Sequence, residues 1–253
     1  MSWAAHRRFM ILLIVGTFVA TSLALVLIST FYKTPSCSDG VQNQGENGID
    51  CGGPCAYLCT DLEKPPTILF TNVLETNGRT DIIALVENKN IDAAAKNVKY
   101  DVSLYGEGQI FLQKIVGTTD LPPRTTVPIY IPGMTAGNQK IVSAFLNIEA
   151  SSPQWFHLSA GSITLPTVMN ATQTGTPKAP RIQAILANPM SIKMFNVQVI
   201  VLVRDINKNI IAASRTVIPA IPAQGNATAI FTWNEAFSGV PASIEVVPIP
   251  QMP

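Results

Sequence analysis

From Phe9 to Ile28 the chain carries no charged residue, and its polar positions there are Thr17, Thr21 and Ser22. An apolar run of this length predicts a helix about 30 Å long, the thickness of a bilayer's hydrocarbon core. Further along, the pattern changes to period two. Val98, Tyr100, Val102 and Leu104 are apolar, whereas Lys99, Asp101 and Ser103 between them are polar. Such alternation lays one face of a strand on a core and the other in water. Gly106-Glu107-Gly108 then reads as a turn, with Gln109 to Val116 returning as the partner strand. No stretch beyond residue 30 sustains helical periodicity. The prediction is an all-β protein behind one N-terminal helix.

The strand pattern recurs after about 100 residues. Ile82, Ala84, Val86 and Asn88 match Ile182, Ala184, Leu186 and Asn188. Val98, Tyr100, Val102 and Leu104 match Val197, Val199, Val201 and Val203, one residue out of step. The offset returns to 100 at Leu121-Pro122 and Ile221-Pro222. One loop has absorbed a single-residue change while the flanking strands kept their spacing. This predicts two tandem copies of one immunoglobulin-like β-sandwich module, with turns at the spacing such sandwiches need.

The unit reads as strand, Asn-containing loop, strand, turn, strand, Leu/Ile-Pro corner, strand. It resembles the small immunoglobulin-like FxLYD-type modules of exported bacterial proteins. The matching residues are Val102-Ser103-Leu104-Tyr105, with Val at the Phe position and Gly106 at the Asp position. In the second copy, Val201-Leu202-Val203-Arg204-Asp205 keeps the Asp without the Leu-Tyr pair. The predicted boundaries are 62–160 for the first module and 161–250 for the second. Gln154 to Leu158 either adds a strand to the first module or begins the hinge. The segment Thr172 to Pro180 reads either as a loop within the second module or as the linker itself.

Charge sets the expected topology. Arg7 and Arg8 precede the apolar run and Lys33 follows it, so the positive-inside rule places residues 1–8 in the cytoplasm. Residues 9–30 would span the plasma (inner) membrane once, in contact with lipid, leaving the bulk of the chain outside. Trp3, Phe31 and Tyr32 suit the two interfacial belts. A cleaved signal peptide is the competing reading, but its apolar region is usually about 7–15 residues with a small-x-small cleavage site. Ile28-Ser29-Thr30-Phe31-Tyr32 makes a poor site of that kind. Both readings export the remainder. Only 13% of residues are charged and the net charge is +1, so no basic footprint for nucleic acid exists.

All four cysteines fall in one stretch, Cys37, Cys51, Cys55 and Cys59. An even count in an exported segment predicts two disulfides, with three pairings open. The segment 36–60 has few apolar residues, so cross-links would have to order it. Zinc is the weaker alternative, because the spacing is not that of a CxxC knuckle. Asp39, Asn43, Glu46 and Asp50, interleaved with Gly40, Gly45 and Gly48, make a candidate Ca²⁺ loop of hard oxygen ligands. The alternative is a solvated loop in which Asp and Asn cap their own backbone. The run CSDGxxNxGExGxDCGGxC resembles a Cys-rich motif found beside membrane anchors or β-sandwich modules in exported bacterial proteins. The resemblance implies a cell-surface setting and carries no activity.

In the second module the face opposite the core, Gln198, Ile200, Leu202 and Arg204, is apolar at its middle. Ile200 and Leu202, with Met194 and Phe195, are therefore a candidate contact surface. The competing reading is that a neighbouring strand, the 170–180 loop or the first module covers them. Catalytic patterns are missing: no paired-carboxylate spacing, nucleophile elbow, P-loop or HExxH motif occurs. His157, beside Trp155 and Phe156, reads as a packed edge residue. Asn170-Ala-Thr and Asn226-Ala-Thr match the glycosylation sequon. The expectation is a non-enzymatic surface spacer or binding module with a protein or glycan partner outside the cell and no cofactor except calcium. Its alternative is an accessory subunit of an envelope assembly. In that case Gly16, Thr17, Thr21 and Ser22 would allow close helix packing.

Overall fold

The structure is a computed structural model that describes residues 3–31, 35–76, 79–137, 139–159, 162–249 and 252. It divides into two units, residues 1–56 and 57–253. Tyr32 and Lys33, which the topology reading uses, lie outside the described residues.

In the first unit, helix α1 runs from Trp3 to Phe31. Its apolar span Trp3–Thr30 has mean hydropathy 2.7 and none of it is covered by protein. At 1.5 Å per residue the span measures about 42 Å, more than the roughly 30 Å of a hydrocarbon core. Four of its five hydroxyls bond back to the helix's own carbonyls. Thr17 and Thr21 donate back to carbonyls three and four residues earlier, at 2.9–3.0 Å. Ser29 and Thr30 both donate to the Val26 carbonyl. A helix of this kind is long and apolar enough to cross a membrane once.

The second unit is built from two β-sandwiches in which every strand pair is antiparallel. The first contains β1 (Thr67–Thr76), β2 (Arg79–Asn88), β3 (Ala93–Tyr105), β4 (Phe111–Leu121), β5 (Thr125–Met134), β6 (Ser143–Ile148) and β7 (Trp155–His157). The second contains β8 (Thr167–Thr176), β9 (Ala179–Ala187), β10 (Met194–Arg204), β11 (Ile210–Ile221), β12 (Asn226–Thr232) and β13 (Ser243–Pro248). Sheet β1-β2-β5 faces sheet β4-β3-β6 in the first sandwich, and β7 also pairs with β3. In the second, β8-β9-β12 faces β11-β10-β13, which is the same strand order.

Period-two patterning explains both cores. Ile82, Ala84 and Val86 of β2 meet Val98, Val102 and Leu104 of β3, with Trp155 of β7 closing one end. Ile182, Ala184 and Leu186 of β9 meet Val199, Val201 and Val203 of β10 in the other sandwich. Strand β7 belongs to the first sandwich because Trp155, Phe156 and His157 pair with Ala95, Ala94 and Ala93. On its other side the Leu58 N–H donates to the Trp155 carbonyl at 2.7 Å.

Thr172 to Pro180 is not a linker. It forms the turn end of the β8–β9 hairpin, which is paired from Thr167↔Ala187 to Thr176↔Ala179. Gly175 allows the tight approach: its φ is +83°, and a Cβ there would stand 2.5 Å from the Ala179 carbonyl oxygen. The expected boundary near 160 falls between β7 and β8, at Ala160 and Gly161, which lie outside the described residues.

One buried asparagine recurs at the corner of each sandwich. The Asn88 Nδ2 donates to the carbonyls of Ala93, Leu121 and Pro122 at 2.8–3.2 Å, while its Oδ1 accepts from the Asn90 N–H. Asn188 does the same with Ile192, Ile221, Pro222 and the Met190 N–H, at 2.8–3.3 Å. Each amide ties the loop after one strand to the Leu/Ile-Pro corner, satisfying carbonyls that burial would otherwise strand.

Candidate functional site in the cleft between the sandwiches

Two strands are apolar on both faces, and this joins the sandwiches. In β2, Ile83 and Leu85 point away from their own core; in β10, Ile200 and Leu202 do. These four, with Tyr130, Ile210 and Ala213, form a single buried cluster. Ile200 is 3% exposed and Leu202 0%. The candidate contact surface is thus covered at its centre by the chain's own first sandwich. Phe195 stays exposed, with the Lys193 ammonium 5.0 Å from its ring centroid, and Met194 packs on the second core. Ile83 and Leu85 lie in an unbroken apolar run from Ile82 to Val86, a sign of two-sided burial.

Beside this cluster lies a cleft of about 540 Å³, lined by Tyr100, Asp120, Ile129 and Tyr130 of the first sandwich and Gln198, Ile200 and Arg215 of the second. Tyr100 stacks across Gly117 of β4, where a Cβ would come within 2.5 Å of its ring. Burial raises the Tyr100 phenol above its ordinary value, and Arg215 opposes that shift. Tyr130 is raised further, by burial first and then by its hydrogen bond to Asp81 Oδ2 at 2.6 Å. Both phenols therefore stay protonated through the neutral range; the Tyr130 proton is already given to Asp81, which leaves the Tyr100 hydroxyl as a donor. The Asp120 carboxylate accepts from the Asn97 N–H at 2.9 Å. Arg215 sits opposite Ile200 in the β10–β11 register and makes no ion pair among the described residues. The cleft thus offers one uncommitted cation, the Tyr100 hydroxyl as a donor and an apolar floor.

The cysteine segment is cross-linked. Cys37 and Cys55 are bonded to each other, Cys51 and Cys59 are likewise in a disulfide, and no cysteine is free. Oxidation removes the thiolates that zinc would need, including those of Cys37 and Cys55 beside Glu46. Of the candidate Ca²⁺ ligands, the three carboxylates accept from backbone N–H groups, while the Asn43 Oδ1 is buried without a hydrogen-bond partner among the described residues. Asp50 accepts from Asp39 and Gly40 at 2.9–3.2 Å, and Asp39 from Val41 and from the Asn43 side chain at 2.9 Å. Buried Glu46 accepts from Asn43 and Asp50, both at 3.3 Å. The three carboxylates shape the loop as caps do.

His157 is solvent-exposed rather than packed, with its Nδ1 3.6 Å from the Asp92 carboxylate. Tyr100, Asp120, Arg215 and Tyr130 carried no sequence signal as a group. They come from four strands or strand ends, and only the docking of the sandwiches brings them together.

The fold defines the class: a tandem β-sandwich protein with an apolar N-terminal helix and a disulfide-bonded segment between them. No protein-family model matches the chain, and none of the curated proteins does. Among solved structures, red sea bream transglutaminase aligns with 73% of this chain and 29% of its own, at 12% identity and TM-score 0.26. A glycoside hydrolase family 2 β-glucuronidase aligns with 88% of this chain and 26% of its own, at 10% identity and TM-score 0.19. The Parabacteroides merdae β-glucuronidase gives 65% and 25%, at 13% identity and TM-score 0.19. The chain thus spans under a third of the length of these enzymes, and TM-scores this low carry no argument about it.

Proposed function

We propose that this chain is a single-pass protein of the cell envelope, with residues 1–8 in the cytoplasm and both sandwiches outside. There it serves as a non-enzymatic spacer and binding module. The observation that carries this reading is the shared cluster of Ile83, Leu85, Tyr130, Ile200, Leu202, Ile210 and Ala213. It makes the tandem sandwiches a stiff arm instead of a flexible pair, and stiffness is what a spacer needs. An apolar helix without protein cover and a fully oxidised cysteine set suit the same setting. The matching strand orders and the paired Asn88 and Asn188 corners support a duplicated immunoglobulin-like module of the FxLYD type.

The cleft is the proposed binding surface. Arg215 would meet an anionic group, Tyr100 and Gln198 would donate or accept, and Ile129 and Ile200 would cover an apolar surface. A protein or glycan partner bearing a carboxylate fits that chemistry. The test is partner capture on intact cells. Arg215→Ala should weaken capture about tenfold, as loss of a charge-assisted hydrogen bond does, without moving the unfolding midpoint. Unchanged capture would remove the cleft from the proposal. Replacing residues 9–30 with an unrelated apolar helix should leave capture intact; its loss would favour an assembly subunit that uses the helix for contacts.

A further inference from the structure

Two sequons occur in the chain, Asn170-Ala171-Thr172 and Asn226-Ala227-Thr228. The fold brings both to the outer face of one sheet, β8-β9-β12, with one on each of its two edge strands. Strand positions two apart share a face, so each asparagine stands beside its own threonine, and all four side chains are exposed. Asn170 and Thr228 flank Ile185 of β9 from opposite sides, and Asn226 lies opposite Ala187. At the usual strand spacing the two edges are about 10 Å apart. A modification on the other face would disrupt the core: Ala229 and Phe231, the inward residues of β12, are each 1% exposed.

These two edges also lack the usual charge or proline. Free strand edges are normally blunted by charge or proline, because bare ones pair with other chains. Neither β8 nor β12 has a charged residue or a proline. By contrast β1 has Glu75, β4 Lys114, β5 Pro128, β11 Arg215 and β13 Glu245. Strand β6 has neither and is met by β1, whose Thr71 Oγ1 accepts from the Leu146 N–H at 3.3 Å; β11 likewise approaches β12, and β13 approaches β8. The outer face between the sequons also exposes Met169, Ile185 and Ile230 at 64%, 40% and 41%.

We infer that Asn170 and Asn226 are N-glycosylation sites whose glycans shield this sheet, a reading that rests on the outside placement proposed above. The donor would be a polyprenyl-pyrophosphate-linked sugar of the host envelope. The asparagine Nδ2 forms a bond to the sugar C1 as the C1–O bond to pyrophosphate breaks. The proton lost from Nδ2 balances the polyprenyl pyrophosphate released, and nothing is oxidised or reduced. The threonine two residues on supplies the hydroxyl that the transferase requires of its acceptor.

The test is glycopeptide mass spectrometry on the full chain purified from membranes of the cells that make it, with thiols alkylated first and without reductant. The peptides holding Asn170 and Asn226 should carry sugar masses. Asn170→Gln and Asn226→Gln should each remove one, and so should Thr172→Ala and Thr228→Ala, which keep the asparagine. A bare asparagine in a chain whose cysteines resist alkylation overturns the assignment at that site and leaves the outside placement standing. Cysteines that alkylate freely overturn both. Enzymatic removal of the glycans should increase self-association; an unchanged sedimentation profile would refute the shielding role.

Discussion

Asn88 and Asn188 show how much a single side chain can settle. Each asparagine is 1–2% exposed and satisfies three carbonyls. Alanine at either site leaves those carbonyls short of a donor, each at about 1–3 kcal/mol in the worst case. We expect Asn88→Ala or Asn188→Ala to destabilise the protein by about 2–4 kcal/mol, read from a shifted urea midpoint. Tyr130 makes a second prediction, with pH. Its phenol is held protonated in the fold above the ordinary value of 10.0. The unfolded chain therefore releases that proton first, and stability is fully present below about pH 10 and falls as pH rises beyond it. Tyr130→Phe should flatten that alkaline fall in thermal scans; Tyr100, raised in the same direction, leaves a residual slope. The asparagines were visible in sequence as a repeat at a spacing of 100 residues. Their hydrogen bonds were not, because Leu121-Pro122 lies more than 30 residues from Asn88.

At the scale of elements, alternation found the centre of β3 and most of β4 but missed the start of one and the end of the other, and the match at about 100 residues pointed to β9 and β10. The segment from Thr172 to Pro180 stayed ambiguous because threonine, glycine and proline suit an edge hairpin as well as a linker. Pairing along nine residue pairs decides for the hairpin. Its turn depends on Gly175, whose positive φ and close carbonyl leave no room for a side chain. Gly175→Val should cost about 1–3 kcal/mol of strain and speed hydrogen exchange in β8 while sparing β10. Exchange-rate measurement by mass spectrometry checks this. The cysteine segment is the opposite case: composition gave the disulfides, but three pairings fitted the spacing and geometry chose one. Its acidic residues have the oxygen chemistry a cation needs. In the fold they also accept from neighbouring N–H groups, and the Asn43 Oδ1 beside them has no partner among the described residues.

For the whole molecule, the deciding feature is that β2 and β10 are apolar on both faces. Ile200 and Leu202 stood out in the sequence as an apolar stripe where water was expected, and β2 carries its counterpart in Ile83 and Leu85. Leu202→Asp should bury an unpaired carboxylate between the sandwiches, costing several kcal/mol. Calorimetry should then show two unfolding transitions where the parent protein shows one, because each sandwich keeps its own core. A single transition at the parent temperature would refute the coupling. The sequence alone determined what each segment can bury: an apolar helix, period-two strands and a cross-linked cysteine segment. Those follow from local patterning, which adjacent residues dictate. Which patch of one sandwich covers which patch of the other, and hence where Tyr100, Asp120 and Arg215 meet, was left to tertiary structure. Burial of an exposed stripe lowers free energy against any complementary surface, and only the folded shapes select one.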